Sequence, residues 1–236
     1  MNKGIYIALS GAVLKNNQMD AIAQNLANAN TIGYKKDTLS FKDYLLPKDP
    51  LSPQPEGRVM SNNSVTKTDF SSGSIIRTGN PLDVAIQGDG FITLEGGRYT
   101  RRGDLKRDGQ GYLITNNNTK VLGNNGAIRL PDGMVHISES GDISVNGERI
   151  DTLQVVDFKD KNSLKKLGDS IFTAVDAPVK STATLKQEYV ETSNVDVVRE
   201  MVRMISTLRD FESYQKAIQA YEEAAAKMSN EMLRLG

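Results

Sequence analysis

Two apolar repeats, one at each end of the chain, constrain its fold more than any other feature. From Phe211, apolar residues recur at Tyr214, Ile218, Tyr221, Ala225, Met228, Met232 and Leu235. The gaps alternate between three and four, the 3.5-residue period of a coiled-coil seam. Val198, Met201, Ile205 and Leu208 keep the same rhythm upstream. The phase slips between Leu208 and Tyr214, which predicts a local change in winding. No Pro or Gly falls between Asn194 and Leu235, and Ala217, Ala220 and Ala224 to Ala226 favour helix. At the other end Ile5, Leu9, Ala12, Asn16, Met19, Ala23 and Leu26 repeat with the same gaps. A long helix with one apolar stripe draws little stability from propensity alone and needs a partner. Antiparallel pairing of the two ends follows most simply, although an ordinary bundle helix at each end of a globular domain fits the periodicity equally well. Asn16 lies on the seam, where a polar side chain either fixes register or is solvated.

A chain of 236 residues has room for one or two domains. Lys plus Arg and Asp plus Glu number 29 each, so no net field draws the chain to nucleic acid or to an anionic membrane. With no cysteine there is no disulfide framework, thiolate zinc site or thiol nucleophile. Lys3 followed by Ile5 to Leu14 has the look of a short secretory signal. The stripe nevertheless runs on in register to Leu26, so the segment reads as mature helix without Sec processing. It is also too short to cross a bilayer.

The first helix should end between Asn28 and Gly33, where Asn and Gly tolerate the left-handed conformation. From Tyr34 to Gly79, Pro47, Pro50, Pro53, Pro55 and the run Ser61 to Ser64 break every pattern, which predicts extended linker. Between Leu82 and Val179 the signals are β. Phe91–Leu94 and Tyr99–Arg102 flank a Gly-Gly turn, and Ile143–Val145 and Glu148–Ile150 flank Asn146-Gly147, a preferred hairpin turn. The predicted fold class is α+β, an antiparallel β domain inserted between N- and C-terminal helices that pair as a coiled coil. Residues 1–33 and 193–236 would form the helical domain, 34–79 a linker, 80–180 the β domain and 181–192 a return linker.

Gly88-Asp89-Gly90 resembles the opening of a phosphate loop, but strand residues follow it where a helix N-terminus is needed, so it reads as a turn. His136 alternates with Val135 and Ile137 on a predicted strand with no second ligand in reach. Arg98, Arg101, Arg102, Lys106 and Arg107 form a basic cluster, read as a solvated face because Glu95, Asp104 and Asp108 are interspersed. Arg102-Gly103-Asp104 reads as a turn. No nucleophile sits beside a base at readable spacing, so no catalytic, cofactor or metal residues are expected, and the chain is expected not to be an enzyme.

Three stretches carry a resemblance. The first is Asp20 to Lys35, containing Asn25, Leu26, Ala27, Asn28, Asn30, Thr31, Gly33 and Tyr34. The second is Thr78 to Phe91, with Asn80, Asp83, Gly88, Gly90 and Phe91, continued by Tyr99 to Arg101 and Asp108 to Thr115. The third is Glu191 to Val198, with Ser193, Asn194 and Val195. In this order they resemble the bacterial flagellar basal-body rod and hook proteins. Within that family the chain is most like the proximal rod protein and next like the distal one, for which it is short.

The resemblance implies a structural subunit whose paired terminal helices stack into a hollow, torque-transmitting tube through which exported subunits pass. It implies a place in the flagellum basal body, reached by the flagellar type III export apparatus. Its partners would be copies of itself, other rod and hook proteins and the rings around the rod, without nucleic acid or membrane insertion. The seam residues named above become the expected assembly interface, and Arg203, Arg209, Lys216 and Lys227 become candidates for the tube lining. The competing reading is a secreted binding module whose β domain holds a ligand and whose helices form a stalk.

Overall fold

The computed structural model describes residues 2–41, 44–45, 58–59 and 64–234. The Pro47–Pro55 segment and Leu235 lie outside the described residues, as do the side chains of Met228 and Met232. The fold is α+β. Helix α1 spans Asn2–Ala27 and helix α2 spans Val197–Arg234, with antiparallel strands between them. Contacts divide the chain into two compact units. One comprises Met1–Ala27, Asp37–Lys67 and Asp196–Gly236, and the other Asn28–Lys36 and Thr68–Val195.

In the helical unit, α1 and α2 pair antiparallel. Lys15 Nζ lies 2.8 Å from an Asp210 carboxylate oxygen. A Cβ built on Gly11 would stand 2.5 Å from the Tyr214 ring, and one on Gly4 2.6 Å from the Tyr221 hydroxyl. Each step up α1 therefore matches an equal step down α2, and two glycines one heptad apart receive two tyrosines one heptad apart. On α1 the covered face carries Ala8, Gly11, Ala12, Ile22 and Asn25, and the small residues Ala8, Gly11 and Ala12 let the helices approach closely.

On α2 the covered line runs through Glu200, Met204, Thr207, Phe211, Tyr214 and Ile218, and the gaps alternate four and three throughout. The expected phase slip is therefore absent from the packing. The seam continues upstream through two buried polar residues, Glu200 and Thr207, which an apolar pattern passes over. Val198, Met201, Ile205 and Leu208 lie on another face and are exposed. Of the α1 positions read as seam, Ala12 is buried, Ile5, Met19 and Leu26 are half-buried, and Leu9, Asn16 and Ala23 are exposed. Asp196 caps α2 by accepting the Arg199 backbone N–H at 3.1 Å.

The β unit centres on a six-stranded antiparallel sheet. Its order is Lys165–Gly168, Ile171–Thr173, Arg98–Thr100, Phe91–Leu94, Val155–Asp157 and Val179–Lys180. A three-stranded meander, Val135–Ile137, Asp142–Val145 and Glu148–Thr152, turns at Asn146 and Gly147. Both turn residues have positive φ, 53° and 87°, as a two-residue hairpin turn of this type requires. Aliphatic residues including Val84, Ile92, Leu94, Leu113, Val121 and Ile143 form the main core. A second cluster is aromatic: Phe91 and Phe172 meet at 5.6 Å, and Tyr99 and Phe158 at 4.9 Å, in edge-to-face geometry.

Two segments expected as linker are built into this unit. Thr184–Gln187 pairs with Val84–Gln87, and Tyr189–Glu191 with Ile75–Arg77. Strands this short alternate over too few residues to be read locally, and each pairs with a stretch remote in sequence. Limited proteolysis of the full chain should therefore leave a β fragment protected from before Asp69 through Val195. Cuts near Gly79 and Val179 that leave a stable core would contradict this.

Candidate functional site

The segments that carry the resemblance supply an ionic junction inside the β unit. Its centre is Glu191, the last residue of its strand and about 1% exposed. One carboxylate oxygen accepts from Lys35 Nζ at 2.7 Å and from the Gly73 backbone N–H at 2.8 Å, and the other from Arg101 Nε at 2.6 Å. Lys35 Nζ also donates to the Ser71 carbonyl at 2.8 Å. The Arg101 guanidinium donates to the carbonyls of Gly90, Gly88 and Ile86 at 2.6, 2.7 and 3.0 Å. The Gly88-Asp89-Gly90 turn thus binds an internal cation with its carbonyls.

Backbone geometry holds the junction together. The Gly33 N–H donates to the Glu191 carbonyl at 2.8 Å with φ +65°. A Cβ there would lie 2.8 Å from the backbone of Arg101 and Arg102, so only glycine fits. Asn194 works as a clasp. Its Oδ1 accepts the Lys36 N–H at 2.8 Å, and its Nδ2 donates to the Asp69 and Ser71 carbonyls at 2.8 and 3.1 Å. Tyr34 is buried beneath Lys166, whose ammonium lies 4.2 Å from the ring centre.

The other motif residues act locally. Asn28 and Thr31 join side chains at 3.2 Å, while Asn30 is exposed. Asn80 donates to Asp83 at 2.8 Å, Phe91 anchors the aromatic cluster, and Ser193 Oγ accepts the Val195 N–H at 3.3 Å. Asn25, in the helical unit, brackets Asp37 by accepting its N–H at 2.9 Å and donating to its carbonyl at 2.8 Å. Leu26 is half-buried and Ala27 exposed.

The basic cluster is divided rather than uniformly solvated. Arg101 is buried, Arg102 forms a fork with both Asp104 oxygens at 2.6 and 2.9 Å, Arg107 pairs with Asp132, and Arg98 and Lys106 are exposed. Sequence reasoning missed the junction because its partners are 156 and 90 residues apart. The available signal was the position of Lys35 and Glu191 at the edges of their motifs.

Burial pushes the Glu191 carboxyl up, but Arg101 and Lys35 together outweigh it and hold it below the ordinary carboxylate value. Burial also pushes the Lys35 ammonium down, and attraction to Glu191 only partly restores it. A depressed carboxylate contributes stability that is complete above its unfolded value, about 4.3, and is lost as pH falls through the folded value. Lys35 has the opposite balance, because its lowered value costs stability at neutral pH.

Glu191→Gln should destabilise the β unit by about 3–5 kcal/mol, since two buried cations lose their counter-charge. Urea melts followed by tyrosine fluorescence should show this deficit shrinking as pH falls below about 4.3, where the unfolded wild-type chain takes up a proton that the folded carboxylate still excludes. Glycines offer a second check. Gly33→Ala should cost more than about 2 kcal/mol, combining left-handed strain with backbone overlap. Gly97→Ala, at φ +67° with nothing within 4 Å of the new Cβ, should cost only about 1 kcal/mol.

Comparison with known proteins yields matches at three places. Residues 5–35 match the family model of the flagella basal body rod protein, 85–145 the D1 domain of the flagellar hook protein FlgE/F/G, and 186–231 the C-terminal model of flagellar basal body rod FlgEFG protein. The chain is 30% identical to the flagellar basal-body rod protein FlgG of Agrobacterium fabrum, covering 98% of this chain and 99% of that protein. It is 29% identical to FlgG of Bacillus subtilis over the same shares. It is 30% identical to the rod protein FlgF of Caulobacter vibrioides over 92% of both chains.

Proposed function

Because the chain belongs to the flagellar basal-body rod and hook protein family, we propose that it is a structural subunit of the basal-body rod, working by assembly and not by catalysis. The observation that carries this reading is the convergence of the family's segments. All three meet in the described structure at Glu191, where Gly33 and Lys35 from the first, Gly88, Gly90 and Arg101 from the second, and Asn194 from the third are joined directly or through one another. The full-length match to rod proteins supports it.

In this reading copies of the chain and other axial proteins stack through their terminal helices into a hollow shaft. The chain reaches that place through the flagellar type III export apparatus rather than the Sec route, in the part of the basal body that crosses the periplasm, with ring proteins around it. Both α1 and α2 offer apolar residues beyond what their own pairing covers, as assembly surfaces require. The charged residues proposed for the tube lining, Arg203, Arg209, Lys216 and Lys227, are exposed, and Arg203 is paired with Glu200 at 2.9 Å. Within the rod we place it at the proximal position, for which the support is its length of 236 residues, short for a distal rod protein.

The test is complementation of a strain lacking the chain, scored by motility and by its presence in isolated basal bodies. Leu26→Asp and Ile218→Asp should each abolish both, because each places a charge at a half-buried position of the helix pair. In the full-length variants the melting of the β unit should be unchanged, because neither residue belongs to it. Full motility with either one would refute the assignment of the helices to assembly.

A further inference from the structure

The helical unit has a buried carboxylate of its own, and it is held differently from Glu191. Glu200 is 2% exposed. One of its oxygens accepts from Arg203 Nη1 at 2.9 Å, and no donor among the described residues reaches the other. Glu191, almost equally buried, accepts three donors, two of them cations. The place of Glu200 in the first turn of α2 eases its charge but gives the second oxygen no hydrogen bond. Two turns on, Thr207 is 3% exposed, and its hydroxyl likewise has no partner among the described residues. Buried polar groups are ordinarily satisfied, so two shortfalls on one line of α2 need an account.

Both groups line a cleft of about 360 Å³ bounded by α1, α2 and the strand Asp37–Phe41. The register of the pair, with Lys15 level with Asp210, puts Gln18 level with Thr207 and Asn25 level with Glu200. Between those levels the α1 wall is apolar, made by Ala21 and Ile22. The cleft therefore has an acceptor at each end, Glu200 at one and Thr207 with Asp210 at the other, and hydrocarbon between. Two helical turns set Glu200 and Thr207 about 10 Å apart along the axis. The lining carries three carboxylates, Asp37, Glu200 and Asp210, against two cations, Lys15 and Arg203. Among the described residues no group of acidic residues and histidine is arranged to hold a metal ion. A cation seated here has to bring its own N–H donors.

We propose that this cleft binds a linear alkyl polyamine, with one terminal ammonium donating to Glu200 and the other to Thr207 and Asp210. Glu200 then accepts from two cations, as Glu191 does, and the methylenes lie along Ala21 and Ile22. Length selects the ligand. Nine bonds separate the terminal nitrogens of spermidine, about 11 Å when extended, and five those of 1,4-diaminobutane, about 6 Å. Only the longer chain reaches both ends. A ligand that bridges α1 and α2 and binds only the folded pair stabilises that pair by mass action. No second copy of the chain is required.

The test is titration of the purified full-length chain with spermidine, followed by amide NMR, with magnesium chloride at matched ionic strength as reference. Saturable shifts should appear at Gln18, Ile22, Glu200 and Thr207. Binding of 1,4-diaminobutane should be about tenfold weaker, because it forfeits one charged hydrogen bond. Glu200→Gln should weaken spermidine about tenfold or more, and Thr207→Val about threefold to tenfold. Spermidine should also raise the melting temperature of the wild-type helices, read by circular dichroism, and leave that of Glu200→Gln unchanged. If Glu200→Gln loses its helices, Thr207→Val, of equal shape, decides. Shifts that never saturate or that magnesium reproduces would overturn the site. Equal affinity for the two amines, or wild-type affinity in Thr207→Val, would overturn it as well.

Discussion

The β unit depends on a single buried carboxylate. Glu191 is cut off from bulk solvent, about 1% exposed, and is held by two cations and a backbone amide. Taking three charges out of water costs several kcal/mol per ion, and apolar packing of the same volume would often be as stable. What the charges add is specificity. A displaced strand here leaves an unpaired buried ion, whereas an aliphatic contact tolerates slippage. The stretches that Glu191 and Asn194 gather, Gly33–Lys36, Asp69–Gly73 and Glu191–Asn194, lie close to the points where the chain enters and leaves this unit. Three passes of chain are thereby fixed in a single register.

This arrangement explains how much of the fold was legible. Hairpins with local turn chemistry were readable, as Asn146-Gly147 shows, because the turn residues lie beside the strands they join. Strands closed by remote partners were not, as Thr184–Gln187 and Tyr189–Glu191 show. Arg101 is illegible locally for a related reason. Among neighbouring Glu and Asp residues it looked like part of a solvated face, yet its counter-charge is 90 residues away. The identity of a charged residue does not announce whether it is buried; its partners do.

The helices show the complementary error. The 3.5-residue rhythm was real, but it mixed two faces of α2. Phe211, Tyr214 and Ile218 turn toward α1, whereas Val198, Met201, Ile205 and Leu208 turn away from it. An apolar pattern records every surface a helix will bury and does not say against what. The apparent phase slip marks the place where the apolar stripe changes face, while the covered line continues upstream through Thr207 and Glu200.

That exchange of polar for apolar residues separates pairing within the chain from surface offered outside it. Along the upper half of α2 the covered line holds a glutamate and a threonine, and the uncovered line holds Val, Met, Ile and Leu. A helix shaped for its own stability alone would place them the other way round, because burying each large aliphatic side chain is worth about 1.5–3 kcal/mol. The helix pair instead closes through close backbone approach, with Tyr214 and Tyr221 seated over Gly11 and Gly4. Its longest aliphatic stripe stays available, at a cost in solubility that is relieved only when another surface covers it. A chain patterned in this way is completed by assembly.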